Sequence, residues 1–217
     1  MKSVVIVLDF DGTVADTMPK LEEIAVKLMT REYGLTEKEA RTKYVYTTGL
    51  PFIQQIDTLF PGNPKNKHVV EQFEKEKLEK IFDQPLFPDA KETIRKLKEA
   101  GYIVCISSST FQPIIERYFK LKKVEADLIL GYRKGFEKGR DHFEYIKQKF
   151  GVSSDDLIFV GDSLKDAQRA VQNNVKFVAK LGLFKTEEFK EIAPECPVIN
   201  NLSEVINKVQ MYDVDDC

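Results

Sequence analysis

The sequence predicts an α/β protein: one parallel sheet with helices on both faces, and a separate block of helices inserted near its start. Three observations predict it. Val4 to Leu8 is an unbroken apolar run, mostly β-branched, of the kind found in a strand buried on both faces inside a parallel sheet. From Pro88 onward helical and strand-like segments alternate strictly, which implies right-handed crossovers between parallel strands. Between about Thr13 and Phe87 there is no strand-like run, only helical periodicity.

The first helix enters at Asp16-Thr17-Met18-Pro19 and carries Leu21, Ile24, Ala25, Leu28 and Met29 at helical spacing up to Gly34. A second begins at Thr36 with Glu39 three residues on, a capping box, and runs to about Tyr46, where Thr47-Thr48-Gly49-Leu50-Pro51 breaks it. Phe52, Ile53, Ile56 and Leu59 mark a third, closed by Pro61-Gly62-Asn63-Pro64, and Val69, Val70, Phe73, Leu78 and Ile81 mark a fourth. Asp89 to Ala100 is helical, with Gly101 at its stop, and leads into the strand Tyr102 to Ile106 and the run Ser107-Ser108-Ser109-Thr110. Helix Gln112 to Phe119, strand Asp127 to Leu130 and a Gly- and Lys-rich loop from Gly131 to Gly139 follow. Phe143, Ile146 and Phe150 define the next helix, stopped by Gly151; strand Leu157 to Val160 then ends in Gly161-Asp162-Ser163-Leu164-Lys165-Asp166. Ala167, Ala170 and Val171 predict a helix, Val175 to Ala179 a strand, Pro197 to Ile199 a short last strand, Ser203 a helix start, and Asp213 to Cys217 a frayed, solvated tail. The expected organisation is a Rossmann-like core from residues 1–14 and 87–217 and a small all-helical cap domain at 15–86.

Composition narrows the functions. With 31% charged residues, a formal net charge of −2 and no basic tract, the chain is not built as a general binder of nucleic acid or membrane surfaces. No apolar stretch approaches the ~20 residues of a membrane span, and Met1-Lys2-Ser3 leads into a strand rather than a signal peptide, so a cytoplasmic protein is expected. Cys105, Cys196 and Cys217 lack metal-ligand spacing and are expected as reduced thiols. The sequence carries no signature of an oligomeric state.

In open α/β sheets ligands bind beyond the carboxyl ends of the strands. There this chain delivers Asp9 and Asp11, the hydroxyls of Ser107 and Ser108, and Asp162 with Asp166, while a further strand is followed by a lysine-bearing loop. Four converging acids repel one another unless a cation sits among them. Oxygen-only ligands favour a hard ion such as Mg²⁺, and hydroxyls with a lysine suit phosphate oxygens. These residues predict phosphoryl transfer.

Asp9-Phe10-Asp11-Gly12-Thr13, a serine after the second core strand, a lysine before a helix, and Gly161-Asp162-Ser163-x-x-Asp166 resemble, in order and spacing, the four motifs of the haloacid dehalogenase-like hydrolase superfamily. The inserted helices resemble the type 1 helical cap of its phosphoglycolate phosphatase-like and beta-phosphoglucomutase-like members. The resemblance implies a Mg²⁺-dependent phosphatase acting on a small phosphorylated metabolite, with Asp9 as the nucleophile that forms an aspartyl-phosphate. It implies Asp11 as general acid and base, and Ser107 and Lys138 as holders of the phosphoryl oxygens, with Ser108 next in line. Thr13 joins these, chiefly as a support of the loop. The implied metal ligands are Asp9, the main-chain carbonyl of Asp11, and Asp162, with Asp166 in or behind the shell. A carboxylate two residues after the nucleophile is similar to the phosphatases and phosphomutases and sets dehalogenation aside.

Two features depart from the superfamily's pattern. Its third motif usually reads Lys-Pro, whereas here it is Lys138-Gly139, and Lys134-Gly135 offers a competing lysine; Lys138 is preferred for its distance to Phe143 and Gly151. The second motif is a run of serines, of which Ser107 directly follows the strand. Arg41, Lys43, Thr47, Thr48 and Gly49 lie at a helix break that can face the site, and His68 and His142 receive no role. A sugar phosphomutase is the alternative reading. A silent phosphate-binding relative and a phospho-aspartate receiver domain stand further off, since receivers carry their acceptor mid-chain and have no helical insertion.

Overall fold

The computed structural model describes residues 4–214. Met1-Lys2-Ser3 and, of the expected tail, Asp215, Asp216 and Cys217 lie outside it. Six strands form one parallel sheet: β1 (Val5–Asp9), β2 (Ile103–Phe111), β3 (Leu128–Tyr132), β4 (Leu157–Gly161), β5 (Lys176–Lys180) and β6 (Val198–Ile199), in the order β3-β2-β1-β4-β5-β6. β1 lies at the centre, and its register decides the site. Asp9 sits opposite Ser107 on β2, while Leu8 pairs with Val160, two residues before Asp162. The chain winds outward to β3 and returns to the other side of β1 at β4, so the reversal of strand order falls between the strands that carry Asp9 and Asp162. A crevice opens at such a reversal.

Side-chain alternation explains why β1 reads as a solid apolar run. Ile6 and Leu8 point into one core with Ile94, Ile115, Phe119 and Val205; Val5 and Val7 point into the other with Phe143, Phe159, Ala170 and Phe189. The first core is closed by α5 (Ala90–Glu99), α6 (Gln112–Lys122) and α10 (Val205–Val214), the second by α7 (Arg140–Phe150), α8 (Leu164–Gln172) and α9 (Thr186–Ile192).

The insertion consists of α1 (Met18–Tyr33), α2 (Glu37–Thr47), α3 (Phe52–Leu59) and α4 (Asn66–Lys80), packed on a cluster of their own that includes Leu21, Leu28, Tyr44, Phe52, Ile56 and Phe73. The chain segments that enter and leave it lie side by side: Ala15 bridges Leu86, and the Phe87 amide donates to Val14 O. The Thr36–Glu39 capping box forms, and Gly34 ends α1 at φ 69 with its amide on Thr30 O.

Two expectations are corrected and one helix, α9, was not foreseen. β2 does not stop at Ile106 but continues through the serines to Phe111, which pairs with Tyr132 after a register shift; short polar side chains carry no apolar alternation to betray it. α9 has Phe189 as its sole buried residue, too little for a periodic signal. The helix expected from Ala167, Ala170 and Val171 forms as α8, which meets the sheet through Ala167 and Ala170 while Val171 is 49% exposed. Asp213 and Val214 belong to α10 rather than to a tail. No helix among the described residues is long and apolar enough to cross a membrane.

Candidate active site

At the end of β1 the backbone turns within six residues, the amides of Val14 and Ala15 both donating to Phe10 O and that of Gly12 to Ala15 O. Phe10 is fully buried, 4.8 Å edge-on to Tyr118, and anchors the loop in the core while its neighbours face the crevice. Gly12 has φ +83, and a Cβ there would lie 1.9 Å from Asp162 Oδ2, so only glycine lets the two acidic loops approach.

Asp9, Asp162 and Asp166 are buried and each offers an oxygen within 4.8 Å of the others. Lys138 Nζ, also buried, lies 2.7 Å from Asp9 Oδ1 and 2.8 Å from Asp166 Oδ1. Lys134 is exposed. Asp166 is fully engaged: besides Lys138, Arg169 Nη1 donates to Oδ1 at 3.3 Å and Ser163 Oγ to Oδ2 at 2.7 Å. Burial opposes its ionisation, but Lys138 and Arg169 outweigh that and hold its carboxyl below the usual range. Asp162 receives no hydrogen bond to its carboxylate from the described residues, and burial, with Asp9 and Asp166 adding, pushes its pKa well up. Burial also raises Asp9 to about 6 against the pull of Lys138. Burial thus makes the charged forms of both acids costly, a cost that a cation would offset. Oxygen-only donors around a charge deficit fit a hard divalent ion.

Asp11 is placed differently. Its carboxylate takes Thr17 Oγ1 at 2.7 Å and Thr110 Oγ1 at 2.8 Å, apart from the acidic triad. Thr110 in turn accepts from Lys77 Nζ at 2.7 Å, and Lys77, on α4 of the insertion, is buried. Neither Lys77 nor Thr110 was expected at the site. On α4 Lys77 follows Val69 and Phe73 at four-residue steps, a spacing that marks it as inward-facing.

Ser107 Oγ lies 2.8 Å from His142 Nδ1. His142 is fully buried, and burial, then Lys138, press its pKa down to about 3, so a neutral imidazole backs the serine. Ser108 Oγ accepts from the Thr110 amide, and Thr13 Oγ1, buried, stands 3.4 Å from Asp9 Oδ2. Lys180, at the end of β5, donates to Gly12 O at 3.0 Å and lies 3.7 Å over the Phe87 ring. His142, Arg169 and Lys180 escaped the sequence reading; His68 is exposed.

The pocket over these groups is lined by Asp9, Asp11, Ser109, Lys138 and Asp162 from the core and by Met18, Leu21, Tyr44, Thr48, Gly49 and Gln55 from the insertion. Gly49 has φ +95, and a Cβ there would come within 2.4 Å of Ser163 Oγ. Its carbonyl accepts from Ser109 Oγ and from Arg169 Nη1, each at 2.9 Å. Thr48 and Gly49 therefore face the site, Thr47 turns to Gln55, Lys43 lies over Phe60, and Arg41 pairs with Glu22. A larger cavity, about 640 Å³, is lined by Pro88, Arg95, Lys98 and Lys123 among others and holds none of the strand-end acids.

Residues 6–180 match the family model described as haloacid dehalogenase-like hydrolase. Among solved structures, a haloacid dehalogenase-like family hydrolase from Streptococcus pneumoniae is 17% identical, covers 95% of this chain and 98% of its own, and has a TM-score of 0.79. A predicted phosphatase from Clostridium acetobutylicum is 18% identical over 97% and 100% (TM-score 0.81), and a predicted phosphoglycolate phosphatase from Haemophilus somnus 20% over 96% and 99% (TM-score 0.74). At these identities the likeness is one of fold. No curated protein matches the chain.

Proposed function

The chain belongs to the haloacid dehalogenase-like hydrolase family, and from that premise we propose that it is a Mg²⁺-dependent phosphatase acting on a small phosphorylated metabolite. One observation carries the reading: Lys138 bridges Asp9 and Asp166 at a crevice that also holds Asp162, with Asp11 two residues beyond Asp9 on a separate hydrogen-bond set. Segments 1–14 and 87–217 are the catalytic core in this reading, and 15–86 is the cap that closes over it. The buried free thiols Cys105 and Cys196 are in keeping with a reducing, cytoplasmic setting.

Asp9 attacks phosphorus while the ester P–O bond breaks, giving an acyl phosphate on its own carboxylate. Asp11 gives its proton to the departing alkoxide, then takes one from the water whose oxygen attacks the same phosphorus. Inorganic phosphate leaves and Asp9 is restored. Lys138 balances charge on Asp9 and the phosphoryl oxygens, and Ser107, backed by neutral His142, donates to one of them. Asp9, Asp162 and the Asp11 carbonyl would hold Mg²⁺, with Asp166 behind, orienting Lys138. Bound there, the ion would neutralise the phosphoryl oxygens and the acids around them.

Phosphate release from an aryl phosphate, with and without Mg²⁺, tests this in wild type and Asp9→Asn. Metal-dependent release that drops roughly 10³-fold or more in the variant is expected, as when an enzyme loses its nucleophile. Activity that survives in Asp9→Asn would sink the mechanism.

A further inference from the structure

The wall that the insertion turns toward the pocket is uncharged. Met18, Leu21, Tyr44, Thr48, Gly49 and Gln55 make it up. The basic side chains around it are committed elsewhere: Lys20 pairs with Glu23, Arg41 with Glu22, Lys43 lies over Phe60, Lys77 donates to Thr110, Lys165 to Gln168, and Arg169 to Gly49 O and Asp166. Lys138, the one cation lining the pocket, is held between two carboxylates. A leaving group bearing its own carboxylate or second phosphate would be desolvated there without a counter-ion and would face Asp11 and Asp162.

The same wall suits hydroxyl groups. The Tyr44 phenol lines the pocket and makes no hydrogen bond to the described residues, so it is a donor in want of an acceptor. Thr48 Oγ1 already donates to Tyr44 O and has lone pairs left; Gln55 Oε1, which takes Thr47 Oγ1, can accept once more. Met18 and Leu21 supply apolar contact for carbon. The enclosed volume is about 50 Å³, far below the roughly 300–1,000 Å³ of pockets for drug-sized ligands.

We propose that the site selects monophosphate esters of small, uncharged, hydroxylated alcohols and discriminates against esters that carry a second anionic group. This rests on the phosphatase reading and narrows it, away from two-carbon acid phosphates and from the bisphosphates a sugar phosphomutase must hold. The bond broken and the fate of the proton are those given above.

The test is kcat/KM, with Mg²⁺, for glycerol 1-phosphate, 2-phosphoglycolate, a hexose bisphosphate and an aryl phosphate. Glycerol 1-phosphate is expected to exceed both poly-anionic esters by roughly 10-fold or more, the scale set by one uncompensated polar group in a pocket. In Tyr44→Phe, which keeps the ring and drops the donor, the preference should shrink by roughly 2- to 10-fold, the worth of one hydrogen bond. Turnover of the aryl ester with phosphoglycolate equal to or better than glycerol phosphate overturns the inference and leaves the phosphatase reading standing. Absence of turnover on all four overturns both.

Discussion

The two walls of the pocket are built on opposite physical terms. The core wall concentrates charge: three buried carboxylates and a buried lysine, carried by the ends of β1 and β4, the first turn of α8 and the loop between β3 and α7. The cap wall is neutral, and the insertion touches the core at this point mainly through the carbonyl of Gly49. The difference follows from what each wall must withstand. Buried charges are tolerable only with fixed partners, and a sheet supplies them rigidly. A wall that parts from the site to admit substrate would strand such charges at every opening, whereas hydroxyl and amide groups exchange a ligand for water at little net cost. In the proposed reading chemistry belongs to the core and selection to the cap, and Lys77 is a charged side chain of the insertion that reaches across to the core.

The sharpest break in this division is Asp11→Asn. It removes the proposed proton carrier and leaves the triad with Lys138 intact, so roughly 10²- to 10⁴-fold of kcat should vanish on an alkyl phosphate. An aryl phosphate, whose leaving group needs little protonation, should lose less. Equal losses on both esters would show that Asp11 does not act as the acid.

Much of the core wall could be read from sequence because burial on both faces leaves no room for polar residues within β1 and β4, so the acids stand out where the strands end. The turn glycines and the Thr36 capping box were local signals of the same kind. What escaped depends on contacts distant along the chain. Lys77 sits in Glu74-Lys75-Glu76-Lys77, which looks like a solvated helix face until its phase with Val69 and Phe73 is followed. His142 shares its face with Ile146, yet nothing local shows that Ser107 lies across from it. Lys180 and Arg169 reach main-chain carbonyls in loops that only the fold brings near. In the sequence Lys138 is preferred over Lys134 only by its spacing to the following helix, since both follow β3; the fold supplies the reason, because only the end of the loop, at Gly139, comes back over Asp9.

Lys77→Met probes the crossing point. The chain Lys77–Thr110–Asp11 holds the carboxyl proposed to exchange protons, and a hydrogen bond from a charged donor is worth enough that its loss should lower kcat roughly 10- to 100-fold with a smaller change in KM. Thr110→Val should cost about the same. The double variant should then be no worse than the worse single one, as for residues acting in series. Additive losses would place Lys77 in cap stability alone and make the division between the walls complete.

The smallest effect near neutral pH, and the test of what stands behind the core wall, concerns His142. Its folded-state pKa of about 3 lies below the ordinary 6.5, so between those values the unfolded chain binds a proton that the folded chain refuses. Stability from this residue is full above pH 6.5 and is lost as pH falls toward 3; at pH 5, 1.5 units below the unfolded value, the loss comes to about 2 kcal/mol. Asp9 acts in the opposite sense, its raised pKa of about 6 adding stability as pH falls from 6 toward 3.8, so the wild-type profile alone does not isolate either group. Denaturant midpoints of wild type and His142→Asn at pH 7.5 and pH 5 separate them, because Asp9 is common to both: the variant should be destabilised at pH 7.5, where Ser107 loses its partner, and should close most of that gap at pH 5. A gap that stays constant across the two pH values would mean that the folded protein does not lower the pKa of His142, so that at pH 5 the serine is backed by a cation.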